Sequence, residues 1–101
     1  MRLCDLDELV DGGARRFDVD GRALSVVRIG DNVYALGDRC SHADVSLSGG
    51  EVDAEECSIE CPKHGSGFSL ETGEPLSLPA LKPVPVYLVT VTDGVVEVEL
   101  S

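Results

Sequence analysis

An all-β fold is predicted by three features of the chain. Asp-Gly pairs stand between apolar stretches at Asp20-Gly21 and Asp93-Gly94, where a tight hairpin turn requires a positive φ that Gly supplies without strain. The run Val84 to Thr92 is rich in β-branched residues, and Val95 to Leu100 alternates Val and Leu with Glu97 and Glu99, the pattern of a hairpin with one wet face. A helical turn suggested by Asp5 to Val10 runs at once into Gly12-Gly13, which stops it.

The 101 residues have room for one domain and none for two independent cores. Eight Lys+Arg against 19 Asp+Glu give a formal net charge of −11. That excludes autonomous nucleic-acid binding, because nothing neutralises a run of phosphates, and it opposes docking on an anionic membrane. Acidity of this degree also fits a disordered chain, but 43% hydrophobic residues and a mean hydropathy of +0.06 favour a folded one. Apolar runs are short and Met1-Arg2-Leu3-Cys4-Asp5 meets charge at once, so no secretory or membrane-spanning segment is expected and a cytoplasmic location follows. In such a reducing compartment the four cysteines, Cys4, Cys40, Cys57 and Cys61, are read as metal ligands before disulfides.

Met1 to about Gly37 reads as short strands: Phe17 to Val19, Arg22 to Ile29, and Val33 to Leu36 after the Gly30-Asp31-Asn32 turn. The C-terminal hairpin follows Pro83 and Pro85, which place the start of its first strand at a sheet edge. Between these parts, Asp38 to Pro79 carries both histidines, three cysteines and only scattered apolar residues: Val45, Leu47, Val52, Ile59, Phe68, Leu70 and Leu76. Apolar burial alone is not expected to fix such a segment, so it needs a staple.

The staple is Cys40-Ser41-His42, then 18 residues, then Cys61-Pro62-Lys63-His64. Residues i and i+2 of an extended chain project to one side, so Cys40 and His42 can reach one object. Pro62 presets a turn that brings Cys61 and His64 together, with Gly65 closing behind them. Two thiolates and two imidazoles suit a tetrahedral structural zinc, or a Rieske [2Fe–2S] centre with both thiolates on one iron and both imidazoles on the other. Cys-x-His within one loop favours the second, because each loop then spans both irons.

The run Cys40-Ser-His-Ala-Asp-Val-Ser-Leu-Ser-Gly-Gly-Glu-Val, with Cys61-Pro-Lys-His-Gly-Ser-Gly-Phe and Thr72-Gly-Glu-Pro-Leu, closely resembles the Rieske-type ferredoxins of bacterial ring-hydroxylating dioxygenase systems. The resemblance covers essentially the whole chain. It implies a Rieske fold: an antiparallel β-sandwich base from residues 1–37 and 80–101, and a loop-rich cluster-binding subdomain over about 38–79, together one domain. It implies one [2Fe–2S] cluster, with Cys40 and Cys61 on the inner iron and His42 and His64 on the outer, more exposed one. It also implies a monomeric one-electron carrier rather than an enzyme, taking electrons from a flavin-dependent reductase and passing them to a terminal non-haem iron oxygenase. A small subunit of assimilatory nitrite reductase, a Rieske protein of iron–sulfur cluster assembly, and a structural zinc module are the other readings.

Departures from the family refine this. Respiratory Rieske proteins clamp their cluster loops with a disulfide whose positions here hold Val45 and Lys63. Ser66 matches the serine that hydrogen-bonds a bridging sulfide in high-potential members, the other reading being a turn serine, while the matching tyrosine position holds Phe68. With one donor of two missing and a negative surround, the potential is expected in the lower half of the Rieske range, and a measured value above about +150 mV would contradict this. Non-ligating ring nitrogens that lose protons in the oxidised state should make the potential fall as pH rises. Leu47 is read either as a cluster shield or as minor core, and Pro79 either as part of a covering loop or as a linker. Cys4 and Cys57 are read as small buried hydrophobes. The acids Glu51, Asp53, Glu55, Glu56 and Glu60 form either a docking surface for a basic partner or a solvated loop.

Overall fold

The computed structural model describes residues 2–39, 45–63, 65–76 and 82–99. Nine strands lie among them: β1 (Arg2–Asp5), β2 (Ala14–Val19), β3 (Arg22–Ile29), β4 (Asn32–Gly37), β5 (Val52–Asp53), β6 (Ser58–Glu60), β7 (Gly67–Ser69), β8 (Val86–Thr92) and β9 (Val95–Glu99). Both Asp-Gly turns form as the sequence requires, with Asp20 and Gly21 at φ +50 and +77°, and Asp93 and Gly94 at +52 and +75°. The turn expected near Asp5 is a short 3₁₀ helix, Leu6–Glu8. It is held to the sheet by Arg28, whose guanidinium donates to Leu6 O at 3.2 Å and Leu9 O at 3.0 Å.

Six strands form one antiparallel sheet in the order β1-β9-β8-β4-β3-β2, curled into a nearly closed barrel. A second sheet of three short strands, β5-β6-β7, comes from the middle of the chain. The fold class is therefore the all-β, antiparallel Rieske ferredoxin architecture.

Two expectations are corrected. The start of β8 is interior rather than at an edge, since Tyr87 pairs with Ala35 and Val86 with Leu36 of β4. Pro85 is tolerated there because the neighbouring strand uses its carbonyl: Gly37 N–H donates to Pro85 O at 2.8 Å. The central segment is also better packed than its scattered apolar residues suggest. Leu47, Ile59, Cys61, Phe68 and Leu70 are buried in one cluster with Val27, Leu36 and Val84 of the base. Leu76, counted with them from sequence, is instead 53% exposed.

Alternation along β3 and β4 separates two cores. Leu24, Val26 and Ala35 face the barrel interior with Cys4, Leu9, Val96 and Val98. Val27 and Leu36 face the other way, onto the cluster that includes Cys61. Strand pleating alone produces this division, since neighbouring residues point to opposite faces.

Candidate metal centre

The second ligand motif is a hairpin loop. Strands β6 and β7 pair through Ser58–Ser69, Ile59–Phe68 and Glu60–Gly67, and the six residues joining them close on themselves. Cys61 N–H donates to Ser66 O at 2.7 Å, and Gly65 N–H donates to Cys61 O at 2.9 Å. Gly65 takes φ +73°, and a β-carbon there would press on the Glu60 carboxylate at 3.2 Å. Cys61 is a free thiol, 1% exposed, and Ser66 is fully buried. Pro62 and Lys63 between them are exposed. The loop thus buries its sulfur and its hydroxyl while presenting its outer residues to water.

The first motif is closed at its base by a residue not singled out from sequence. Asp38 is 3% exposed; its carboxylate accepts from the Ser46 hydroxyl and from Ser48 N–H at 2.9 Å. Arg39 and Ser46 form an isolated antiparallel bridge beside it. The signal available in the sequence was an acid two residues before an expected ligand cysteine, with serines eight and ten residues on. Next comes the 3₁₀ turn Leu47–Gly49, whose Leu47 is fully buried with Cys61 in one core. Leu47 is thus part of the packing beneath the centre. Gly50 then joins the two loops: Glu60 N–H donates to Glu51 O at 2.8 Å, and a β-carbon on Gly50 would lie 1.7 Å from Glu60 O.

Cys40, His42, His64 and Pro79 lie outside the described residues. Of the four expected ligands, Cys61 is therefore the one whose setting is described. Its buried, unbridged sulfur suits thiolate-held iron, and with the second thiol and two imidazoles of the motifs the donor set fits a Rieske [2Fe–2S] group.

All five acids of the central run, Glu51, Asp53, Glu55, Glu56 and Glu60, line one open groove of about 560 Å³, which also touches Gly65, Gly67 and the exposed Leu76. The other cysteines sit apart from the motif. Cys4 packs in the barrel core, and burial pushes its thiol pKa up, which makes it a poor nucleophile. Cys57 is only half-buried, adopts φ +52° and shares a hydrogen bond with the Tyr34 hydroxyl. That bond, then burial, raises the Tyr34 pKa to about 12. Alkaline titration followed by phenolate absorbance should therefore find one of the two tyrosines ionising near pH 12. The favourable contribution of the protonated phenol is complete below about pH 10 and is lost as pH rises through 12. In Cys57→Ala the late phenol should titrate earlier; an unchanged curve would remove Cys57 as the cause.

The buried Cys61 thiol thus sits in a closed loop on a small sheet beside the antiparallel barrel. The Rieske [2Fe-2S] domain profile matches residues 1–88, and the chain belongs to that family. It carries one [2Fe–2S] cluster and serves as an electron carrier. The 3-phenylpropionate/cinnamic acid dioxygenase ferredoxin subunit of Photorhabdus laumondii is 36% identical over 99 residues, 98% of this chain and 92% of that one. The ferredoxin of carbazole 1,9a-dioxygenase from Nocardioides aromaticivorans superposes with a TM-score of 0.94 at 44% identity, covering 97% of this chain and 94% of that one. A further ferredoxin, solved in complex with the reduced oxygenase of carbazole 1,9a-dioxygenase, matches with a TM-score of 0.89 at 39% identity over 98% and 100% of the two chains. Among the described residues no helix is long and apolar enough to cross a membrane.

Proposed function

We propose that Cys40, His42, Cys61 and His64 hold the cluster, and that this monomeric, single-domain chain passes electrons from a flavin-dependent ferredoxin reductase to a terminal non-haem iron oxygenase. The observation that carries this reading is the closed loop from Cys61 to Ser66, which buries the sulfur and leaves its outer residues in water. The cluster supplies a one-electron couple. The chain's own contribution is to hold two soft anionic and two neutral ligands, exclude water from the thiolate side, and present the outer edge of the loops to a partner.

Iron, acid-labile sulfide and zinc analysis tests the ligand set. Two irons and two sulfides per chain support it, whereas one zinc and no sulfide would end it. Reconstitution with candidate partners tests the route: turnover with a reductase and a ring-hydroxylating oxygenase supports it, and transfer solely to a sirohaem nitrite reductase would replace it.

Ser66 is assigned as a hydrogen-bond donor to cluster sulfur, on its complete burial in the same loop as Cys61. Such a bond favours the reduced, more negative state, so Ser66→Ala should lower the midpoint potential. A hydrogen bond to a charged group contributes about 1.5–3 kcal/mol, equivalent to about 60–130 mV for a one-electron couple. A redox titration of the mutant that overlays the wild type would reduce Ser66 to a turn residue.

The acidic groove is assigned as the docking face for a basic partner, because its five acids line the same groove as Gly65 of the Cys61 loop. Exposed charges of this kind act through long-range attraction, which salt screens over about 8–10 Å. Raising ionic strength from about 0.05 to about 0.5 M should slow transfer to the oxygenase by about tenfold or more. The charge-reversed pair Glu55→Lys and Glu56→Lys should lose most of that salt dependence. Salt-independent transfer in the wild type would sink the assignment.

A further inference from the structure

We propose that Asp38 is a positioning residue for the electron-transfer centre: it ties the chain shut across residues 40–44 and sets a fixed negative charge at the cluster. The proposal rests on Cys40 and His42 being ligands. Asp38 holds both sides of that segment at once. Its backbone N–H donates to Ala23 O at 2.9 Å, its carbonyl accepts from Leu47 N–H, and its carboxylate takes the Ser46 hydroxyl and Ser48 N–H. The Ser46 hydroxyl is also 2.7 Å from that of Ser48. A carboxylate 3% exposed is costly to bury without such partners, and its placement here has two consequences.

Closing the loop is one consequence, since it brings residue 38 together with residues 46 and 48 across the seven residues that separate 38 from 46 in the sequence. A neutral side chain such as Asn could do nearly as much by accepting the same N–H. The charge is what Asn lacks. Two residues span at most about 7 Å of chain, so the carboxylate is held close to Cys40. A unit charge about 10 Å away, at an effective dielectric constant of about 20, changes a one-electron equilibrium by more than tenfold. Negative charge opposes the incoming electron and so lowers the potential. Arg16 offsets it weakly: its Nε is 3.8 Å from Asp38, but its guanidinium is also engaged by Asp18 at 3.1 Å and half-exposed, where screening is strong.

The test compares purified holoproteins of wild type, Asp38→Asn and Ser46→Ala, reading midpoint potential and the rate at which iron is lost. Asp38→Asn keeps an acceptor for Ser48 N–H and removes the charge. Its reduction equilibrium constant should rise about tenfold, or about 59 mV for a one-electron couple, with the spectroscopic signature of histidine-ligated iron retained. Ser46→Ala keeps the charge and removes one tie; it should hold the potential within about twofold in that constant while losing iron several-fold faster. A potential unmoved or lowered in Asp38→Asn would overturn the proposal, as would wild-type iron retention in Ser46→Ala. Should Asp38→Asn yield no holoprotein, iron loss in Ser46→Ala decides alone. A wild-type protein lacking the histidine-ligated signature would instead defeat the ligand assignment beneath it, and the two failures are thereby told apart.

Discussion

Cys61→Ser is expected to yield a folded protein without its cluster: no visible charge-transfer absorption, no acid-labile sulfide, and a fall of about 100-fold or more in electron-transfer rate. Changes outside the ligand shell of a metal site already cost about 10–100-fold, and Cys61 is proposed as a ligand itself. Serine preserves the volume, and the two hydrogen bonds that close the loop at this residue use its backbone N–H and C=O. The loop's local shape is therefore not what the mutation removes. What disappears is a thiol able to deprotonate and bind iron softly, in a site 1% exposed where water cannot stand in for it. Far-ultraviolet circular dichroism should retain the β signature of the six-stranded sheet. A mutant that kept two irons with unaltered spectra would remove Cys61 from the ligand set.

Gly50→Ala should be strongly destabilising, at about 4 kcal/mol or more, a size reached only by a few mechanisms. Backbone conformation is not the reason, because Gly50 has φ −88° and ψ 175°, open to any residue. The reason is contact: an added β-carbon would lie 1.7 Å from the carbonyl oxygen of Glu60. That atom is backbone in β6, whose own N–H is bonded to Glu51, so neither side can move without breaking the small sheet. Gly49→Ala is the control, since nothing lies within 4 Å of its added carbon; it should change stability by about 0.5 kcal/mol or less. Urea unfolding of both mutants measures the contrast, and equal midpoints would refute it.

Local chemistry explains which parts could be read in advance. The Asp20-Gly21 and Asp93-Gly94 turns are visible because turn geometry is decided by the two residues that make it. The ligand motifs are visible because their spacing is short and their residue types are specialised. The β5-β6-β7 sheet was not visible, since strands of two or three residues carry too little periodicity. Their stability comes from distant partners, with Ile59 and Phe68 packing on Val27, Leu36 and Val84. The same limit hid the interior start of β8, where two prolines suggested an edge but a carbonyl was the group in use. Asp38 was passed over because an acid in an acidic chain carries no mark of burial. Its role appears only when Ser46, Ser48 and Arg16 surround it. Gly50 carries no local mark either, because its need for a bare α-carbon depends on Glu60, ten residues away.

The two opposite-facing cores of β3 and β4 separate the making of the scaffold from the loading of its metal. Among the described residues, the barrel interior, from Cys4 and Leu24 to Val96 and Val98, holds no proposed ligand. Cys61 belongs only to the layer on the other face. Iron starvation should therefore leave a chain with its base intact and its outer layer loosened, showing lower amide-exchange protection in β5, β6 and β7 than in β3 and β9. Adding iron and sulfide back to such a chain should restore protection in β5, β6 and β7 while leaving that of β3 and β9 unchanged.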